Sequence, residues 1–244
     1  MPKAFFITGT DTDAGKTLVT SGLLAAARRR GLTTAGGKPV ASGCEWGVEG
    51  LRNADALAIQ AQCRPALDYD TINPVAFEPA IAPHIAAAEA NVALSVSALA
   101  APMRALLTCR AADLTLIEGA GGWRVPLNER ESLSDLVVAL ALPVIVVVGV
   151  RLGAINHARL TLEAIRHDGL PVAGWVANMI DPRMPRLEEN LNSLAGWLGE
   201  EGGVPCLGVV PWLATPAPER VADCLELEPL IHAIPPRKTT HESQ

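Results

Sequence analysis

The run Gly9-Thr10-Asp11-Thr12-Asp13-Ala14-Gly15-Lys16-Thr17 constrains this chain more than any other feature. It follows a short apolar stretch at residues 3–8 that reads as a strand, and it opens a helical pattern at 16–30 closed by Gly31. A glycine-bearing turn in that position points backbone N–H groups inward, and the helix N-terminus adds partial positive charge, so the loop binds phosphate oxygens. Lys16 supplies a mobile cation for the β- and γ-phosphates, and the Thr17 hydroxyl is placed to ligate Mg²⁺. Five residues separate the two glycines of the loop, one more than in the usual motif. Asp13, Ala14, Gly15, Lys16, Thr17 and Leu18 are the expected phosphate contacts.

Downstream patterning places this loop in an α/β fold. A strand entry at Gly36–Val40 is followed by a helical pattern at 53–62, a Pro-bearing irregular insertion at 66–90, and a helix at 97–111 that feeds the strand Leu114–Ile117. Ser132 or Ser134 caps a helix that ends before Pro143. The stretch Val144–Val150 is continuous and β-branched, as a strand buried on both faces requires. A helix at 154–168, a strand at 172–178, a helix at 184–199 and a strand near 206–210 complete the alternation, which predicts a mostly parallel sheet with helices on both faces. At 244 residues the chain suits one such domain, taken as 1–234, with 235–244 a disordered tail.

Composition removes several alternatives. The net charge is −6 and the densest basic run is Arg28-Arg29-Arg30, which reads as the last turn of the first helix complementing its dipole. No nucleic-acid surface is therefore expected. The five cysteines (44, 63, 109, 206 and 224) form no C-x-x-C pair, which fits a reducing, cytoplasmic setting and no zinc framework. The apolar stretch Leu136–Val150 is shorter than a span and is split by Pro143, so no membrane association is expected.

A phosphate loop needs acidic partners for its metal. Glu118 ends the strand Leu114–Ile117 and precedes Gly119-Ala120-Gly121-Gly122, and carboxyl ends of parallel strands face the ligand crevice. By pattern alone, Asp55 fits a helix-surface charge as well as a metal ligand. Lys38, in Gly36-Gly37-Lys38-Pro39-Val40, fits either a surface lysine or a second cation for phosphoryl transfer. His157 reads as a helix-surface or core histidine.

With these residues in view, the chain resembles the dethiobiotin synthetases. The resemblance rests on the phosphate loop with its five-residue spacing and on Gly37-Lys38-Pro39-Val40-Ala41-Ser42-Gly43 and Gly50–Leu57. It continues through Glu118–Trp123, Pro143–His157, Gly174–Asn178 and Pro211-Trp212-Leu213, spanning residues 3 to about 219 in family order. It implies an ATP- and Mg²⁺-dependent ring closure of 7,8-diaminononanoate with CO₂, through a carbamate and a carbamic-phosphoric anhydride. It also implies Thr17, Asp55 and Glu118 as metal ligands, Lys16 and Lys38 on the phosphates and carbamate, and Ser42 on the diamine or carbamate end. Asn178 and Met179, Pro211, Trp212 and Leu213 would surround adenine, and Glu219 would reach the ribose. The substrate's remote carboxylate would meet Gly153, Ala154 and Asn156 of a partner subunit, so a homodimer with active sites at its interface is implied. Asp13 stands where many members have Glu, and the segment after Leu213 is one residue longer than the family's.

Two fold relatives fit less well. Partition-type ATPase switches carry a second lysine early in the phosphate loop, whereas this loop has none before Lys16. Amidoligases that activate a carboxylate usually carry a glutaminase domain, for which this chain leaves no room.

Overall fold

A computed structural model describes residues 3–109 and 112–231, so the expected tail at 235–244 lies outside the described residues. β1 (Lys3–Gly9) runs through the glycine loop into α1 (Lys16–Arg29), and β2 (Thr34–Gly37) and β3 (Val40–Ala41) follow. A hairpin of β4 (Glu45–Gly47) and β5 (Gly50–Arg52) precedes α2 (Ala54–Ala61), α3 (Tyr69–Ile72), β6 (Val75–Ala76) and α4 (Pro83–Glu89). Then come α5 (Val96–Cys109), β7 (Leu114–Glu118), α6 (Leu133–Leu140), β8 (Val144–Val150), α7 (Ala154–His167) and β9 (Val172–Met179). The last elements are α8 (Leu187–Leu194), a π-helical turn (Ala195–Glu200), β10 (Cys206–Val210), α9 (Pro218–Ala222) and α10 (Glu228–Ile231).

Six strands form one sheet in the order β10-β9-β8-β1-β7-β2, and every neighbouring pair is parallel. The order reverses direction at β1. Right-handed crossovers therefore put α1 on one face and α6, α7 and α8 on the other. The contacts agree: α1 packs on α9, while α5 meets α6 and α7 meets α8. All seven residues of β8 are buried, and each Val or Ile side chain so removed from water contributes about 1.5–3 kcal/mol. Phe6 of β1 meets Trp123 edge-on, with ring centroids 6.3 Å apart. Among the described residues no helix is long and apolar enough to cross a membrane.

Local chemistry sets the ends of the elements. The Ser132 N–H donates to the Asp135 carboxylate at 2.7 Å, so Ser132 caps α6 and Ser134 lies inside it. The insertion at 66–90 is more regular than its prolines suggest. Pro83 sits in the first turn of α4, where its missing N–H costs nothing, and an alanine run continues the helix. The helix expected at 184–199 begins at Leu187 and gives way to the π-helical turn at Ala195. The Arg28–Arg30 run does more than complement a dipole. Arg28 donates to Gln62 at the end of α2, while Arg29 bonds Asp223 and the Glu219 carbonyl and Arg30 pairs with Glu228, tying α1 to the C-terminal helices.

That C-terminal segment also depends on one glycine. Gly208 has φ of 146°, in a strand whose register shifts between Cys206 and Gly208, and a Cβ there would lie 2.0 Å from the Cys224 carbonyl oxygen. Gly208→Ala is expected to lower stability by about 2–4 kcal/mol, since both strain and overpacking act at one position. Thermal unfolding followed by circular dichroism should show a Tm drop of about 5–15 °C, and a drop under about 2 °C would contradict the clash.

Candidate active site

The phosphate loop is shaped by its own backbone and by the strand ends beneath it. Asp13 and Gly15 adopt positive φ of 58° and 88°. Gly15 is required twice over, because a Cβ there would sit 2.0 Å from Asn178 Nδ2. Asn178, at the C-terminal end of β9, donates to the Ala14 carbonyl at 2.9 Å and so braces the loop from below. The Thr10 N–H donates to Val147 of β8 at 2.9 Å, and Asp11 pairs with Arg151. Lys16 curls back so that its Nζ lies 3.2 Å from the Asp11 carbonyl.

Three acidic and basic groups from separate segments converge beside this loop. Thr17 Oγ1 donates to Glu118 Oε1 at 2.8 Å, and Lys38 Nζ donates to the same oxygen at 2.7 Å. Lys38 also reaches Asp55 Oδ2 at 2.8 Å and the Gly119 carbonyl at 3.2 Å. The Lys38 side chain is 4% exposed, Glu118 0% and Asp55 44%, so the Lys38–Glu118 contact is fully removed from water. The two readings that pattern left open for Lys38 are thus separated: it is a buried lysine paired with carboxylates, not a surface charge. Asp55, in the first turn of α2, stays half-exposed but turns one carboxylate oxygen onto Lys38.

A polar chain absent from the sequence-based site holds these groups in place. Asn53 caps α2, its Oδ1 accepting from the N–H groups of Asp55 and Ala56 at 3.1 and 3.2 Å. The Tyr69 hydroxyl accepts from the Asn53 N–H at 2.7 Å and donates to Asn73 Oδ1 at 3.0 Å. Asn73 in turn donates to the Lys38 carbonyl at 2.8 Å. Asn53 falls in the helical pattern read at 53–62 without being singled out, and its N-cap residue type is the signal that could have found it. Tyr69 and Asn73 gave no comparable signal.

The cleft in front of the cluster has a volume of about 450 Å³ and is lined by Asp13, Gly15, Lys16, Thr17, Leu18, Lys38, Ser42 and Asp55, among others. The other predicted residues fall outside it. Met179 ends β9 beside Asn178, and Val210, the last residue of β10, is the register partner of Asn178, so Pro211, Trp212 and Leu213 emerge next to both. Trp212 is 50% exposed. Glu219 lies in α9 with its carbonyl held by Arg29 at 2.7 Å. Gly153, the N-cap of α7, lines a separate concavity with Asn156, and Ala154 next to it is buried.

The donor set suits a hard divalent cation. Thr17, Asp55 and Glu118 offer oxygen ligands of the kind Mg²⁺ takes, and Glu118 Oε2 is buried without a hydrogen-bond partner. The two lysines differ in their electrostatics. Burial, and then the neighbouring Lys38 charge, lower the Lys16 pKa below the ordinary 10.5. Burial works against Lys38 too, but Glu118 and Asp55 outweigh it and raise its pKa above 10.5. For Asp55, burial is overcome by Lys38, and its pKa falls below the ordinary 3.8.

A family model described as an AAA domain matches residues 3–220. The ATP-dependent dethiobiotin synthetase BioD of Pseudomonas aeruginosa (strain UCBPP-PA14) is 61% identical over 227 residues, covering 93% of this chain and 97% of that protein. The chain belongs to the dethiobiotin synthetase family. The synthetase BioD of Cellvibrio japonicus is 59% identical over 231 residues, covering 95% of this chain and 99% of that protein. In fold, this dethiobiotin synthetase family member is similar to a ParA family ATPase from Chlorobium tepidum, with a TM-score of 0.52 at 12% identity over 96% of this chain and 95% of that one. The MinC:MinD cell division complex of Aquifex aeolicus gives 0.51 at 11% identity, covering 92% and 87%. At such identities these two bear on the fold alone.

The raised Lys38 and lowered Asp55 values fix how stability depends on pH. The Asp55 contribution is present above its ordinary value of 3.8 and is lost as pH falls through its lowered folded value. The Lys38 contribution is fully present below 10.5 and is lost as pH rises through its raised folded value. Urea midpoints measured from neutral pH upward should therefore fall more steeply for the wild type than for Lys38→Met. Parallel alkaline profiles would contradict the buried pairing.

Proposed function

We propose that this chain performs the reaction for which its relatives are named, the ATP-dependent closure of a diamine and CO₂ into dethiobiotin. The observation that carries the reading is Lys38: a buried second lysine that shares one cleft with the phosphate loop and Ser42. A nucleotide switch has no need of a cation there, and this loop lacks the early lysine that partition ATPases use.

The chemistry follows from the charges that must meet. An amine of 7,8-diaminononanoate adds to CO₂ and loses a proton, giving a carbamate. The carbamate oxygen attacks the γ-phosphorus, ADP leaves, and a carbamic-phosphoric anhydride forms. The second amine then attacks the carbonyl carbon, phosphate departs, a proton is released, and the ureido ring closes. An anionic carbamate and a triphosphate repel each other in a site of low dielectric unless cations stand between them. In this reading Lys16 follows the β- and γ-phosphates, Lys38 bridges the carbamate and the transferring phosphoryl group, and Ser42 orients the reacting diamine end. Thr17, Asp55 and Glu118 would hold Mg²⁺, which supplies charge neutralisation to the phosphates when bound.

The base would lie over the ends of β9 and β10, with Asn178 presenting its amide to the purine edge and Met179 and Pro211–Leu213 flanking it. Glu219 is the proposed ribose contact. Gly153, Ala154 and Asn156 stand apart from the cleft of their own chain, which supports assigning them to the substrate carboxylate of a neighbouring subunit. A helix N-terminus suits that anion. The working form is then a homodimer in which each site draws on both chains.

Phosphate release from MgATP and bicarbonate, with and without 7,8-diaminononanoate, tests this reading when joined to mass detection of the product. Release that requires the diamine and yields dethiobiotin is the expected result. ATP turnover indifferent to the diamine would leave the phosphate loop in use and overturn the ring-closing assignment.

A further inference from the structure

The oxygens that suit a divalent cation are already bonded to a protein cation. Lys38 Nζ makes three contacts, to Asp55 Oδ2, Glu118 Oε1 and the Gly119 carbonyl, and three are all that an ammonium group can donate. The carboxylates of Asp55 and Glu118 face the ammonium groups of Lys16 and Lys38, so the two acidic groups are already engaged by protein cations. Lys38 and Glu118 are both shielded from water, at 4% and 0% side-chain exposure, so solvent does little to screen their pairing.

We propose that Lys38 is the resident counter-ion of the metal site, so that a divalent cation is accepted only together with nucleotide phosphates that take Lys38 over. This inference rests on the nucleotide reading given above and adds an order of binding to it. A bare dication entering the cluster would have to share the carboxylates of Asp55 and Glu118 with Lys38 and stand beside two ammonium groups, at distances where a buried site screens poorly. A metal–nucleotide complex brings its own negative charge. The phosphate oxygens then offer Lys38 new acceptors, and the carboxylates pass from the ammonium group to the metal. Glu118 Oε2, buried and without a partner, is the carboxylate oxygen that Lys38 leaves uncovered. Lys38 is thereby freed for the transferring phosphoryl group at the moment the metal and the triphosphate arrive, and not before.

Mn²⁺ serves as the probe, and water proton relaxation reports its binding to the slowly tumbling protein. The titration uses full-length protein without diamine or bicarbonate, so its outcome is separate from that of the ring-closure assay. The wild type is expected to give little enhancement with Mn²⁺ alone and full enhancement once a non-hydrolysable ATP analogue is added, relative to the analogue without protein. Lys38→Met should bind bare Mn²⁺ at least about tenfold more tightly, because removing the ammonium leaves the carboxylates in excess. Lys38→Arg, which keeps the charge, should retain the exclusion. Equal Mn²⁺ affinity of the wild type with and without the analogue would overturn the proposal without any variant, as would a Lys38→Met protein no tighter than wild type. No enhancement even with the analogue would overturn both this inference and the metal-nucleotide reading beneath it.

Discussion

The contact between Lys38 and Glu118 organises the site. Both side chains are buried, they lie 2.7 Å apart, and the same carboxylate oxygen accepts the Thr17 hydroxyl from the first turn of α1. A buried charge left without its partner costs about 3–5 kcal/mol, so neither residue tolerates loss of the other easily. The contact joins the end of β7, the connection after β2 and the start of the phosphate-loop helix. Asp55 extends it to α2. Four pieces of chain thus share one electrostatic arrangement, and the cleft opens in front of it.

The fold supplies the rigidity that such an arrangement requires. β1 lies between β7 and β8 at the point where strand order reverses, so the loop after β1 and the end of β7 emerge side by side. Ligands bind at that reversal in open parallel sheets. Behind Lys38, the Tyr69–Asn53–Asn73 chain fixes the backbone of both Lys38 and Asp55. On the other side, Asn178 holds Ala14 and leaves room for no residue but glycine at position 15. Loss of a hydroxyl or amide in this second layer would therefore displace a charge in the first.

Much of the sheet was legible because its signals are local. The run Val144–Val150, bounded by Pro143 and Gly153, admits no other reading than a buried strand. The phosphate loop announces itself by residues adjacent in sequence, and the serines at 132 and 134 mark the start of a helix, although only the contact with Asp135 decides for Ser132. What could not be read depends on distance along the chain. Lys38 and Glu118 are 80 residues apart, and although the strand end places Glu118 at the crevice, nothing in the pattern around Lys38 separates a buried partner from a surface charge. Asn53, Tyr69 and Asn73 are ordinary residues until the chain brings them together. The hairpin at 45–52 and the helix Pro83–Glu89 were hidden by glycine and proline, which mark turns without saying what lies between them. Only the resemblance joined Asp55, Lys38 and Glu118 beforehand, and the contacts supply the physical reason for their grouping.

A double-mutant cycle between Lys38 and Glu118 tests the central role of their contact most directly. Urea unfolding at neutral pH would be measured for the wild type, Lys38→Met, Glu118→Gln and the double variant. A coupling of about 2–3 kcal/mol, with the double variant far less destabilised than the sum of the singles, is the expected result. Single effects that add to within about 0.5 kcal/mol would mean the two side chains do not depend on each other. The site would then owe its arrangement to the backbone alone.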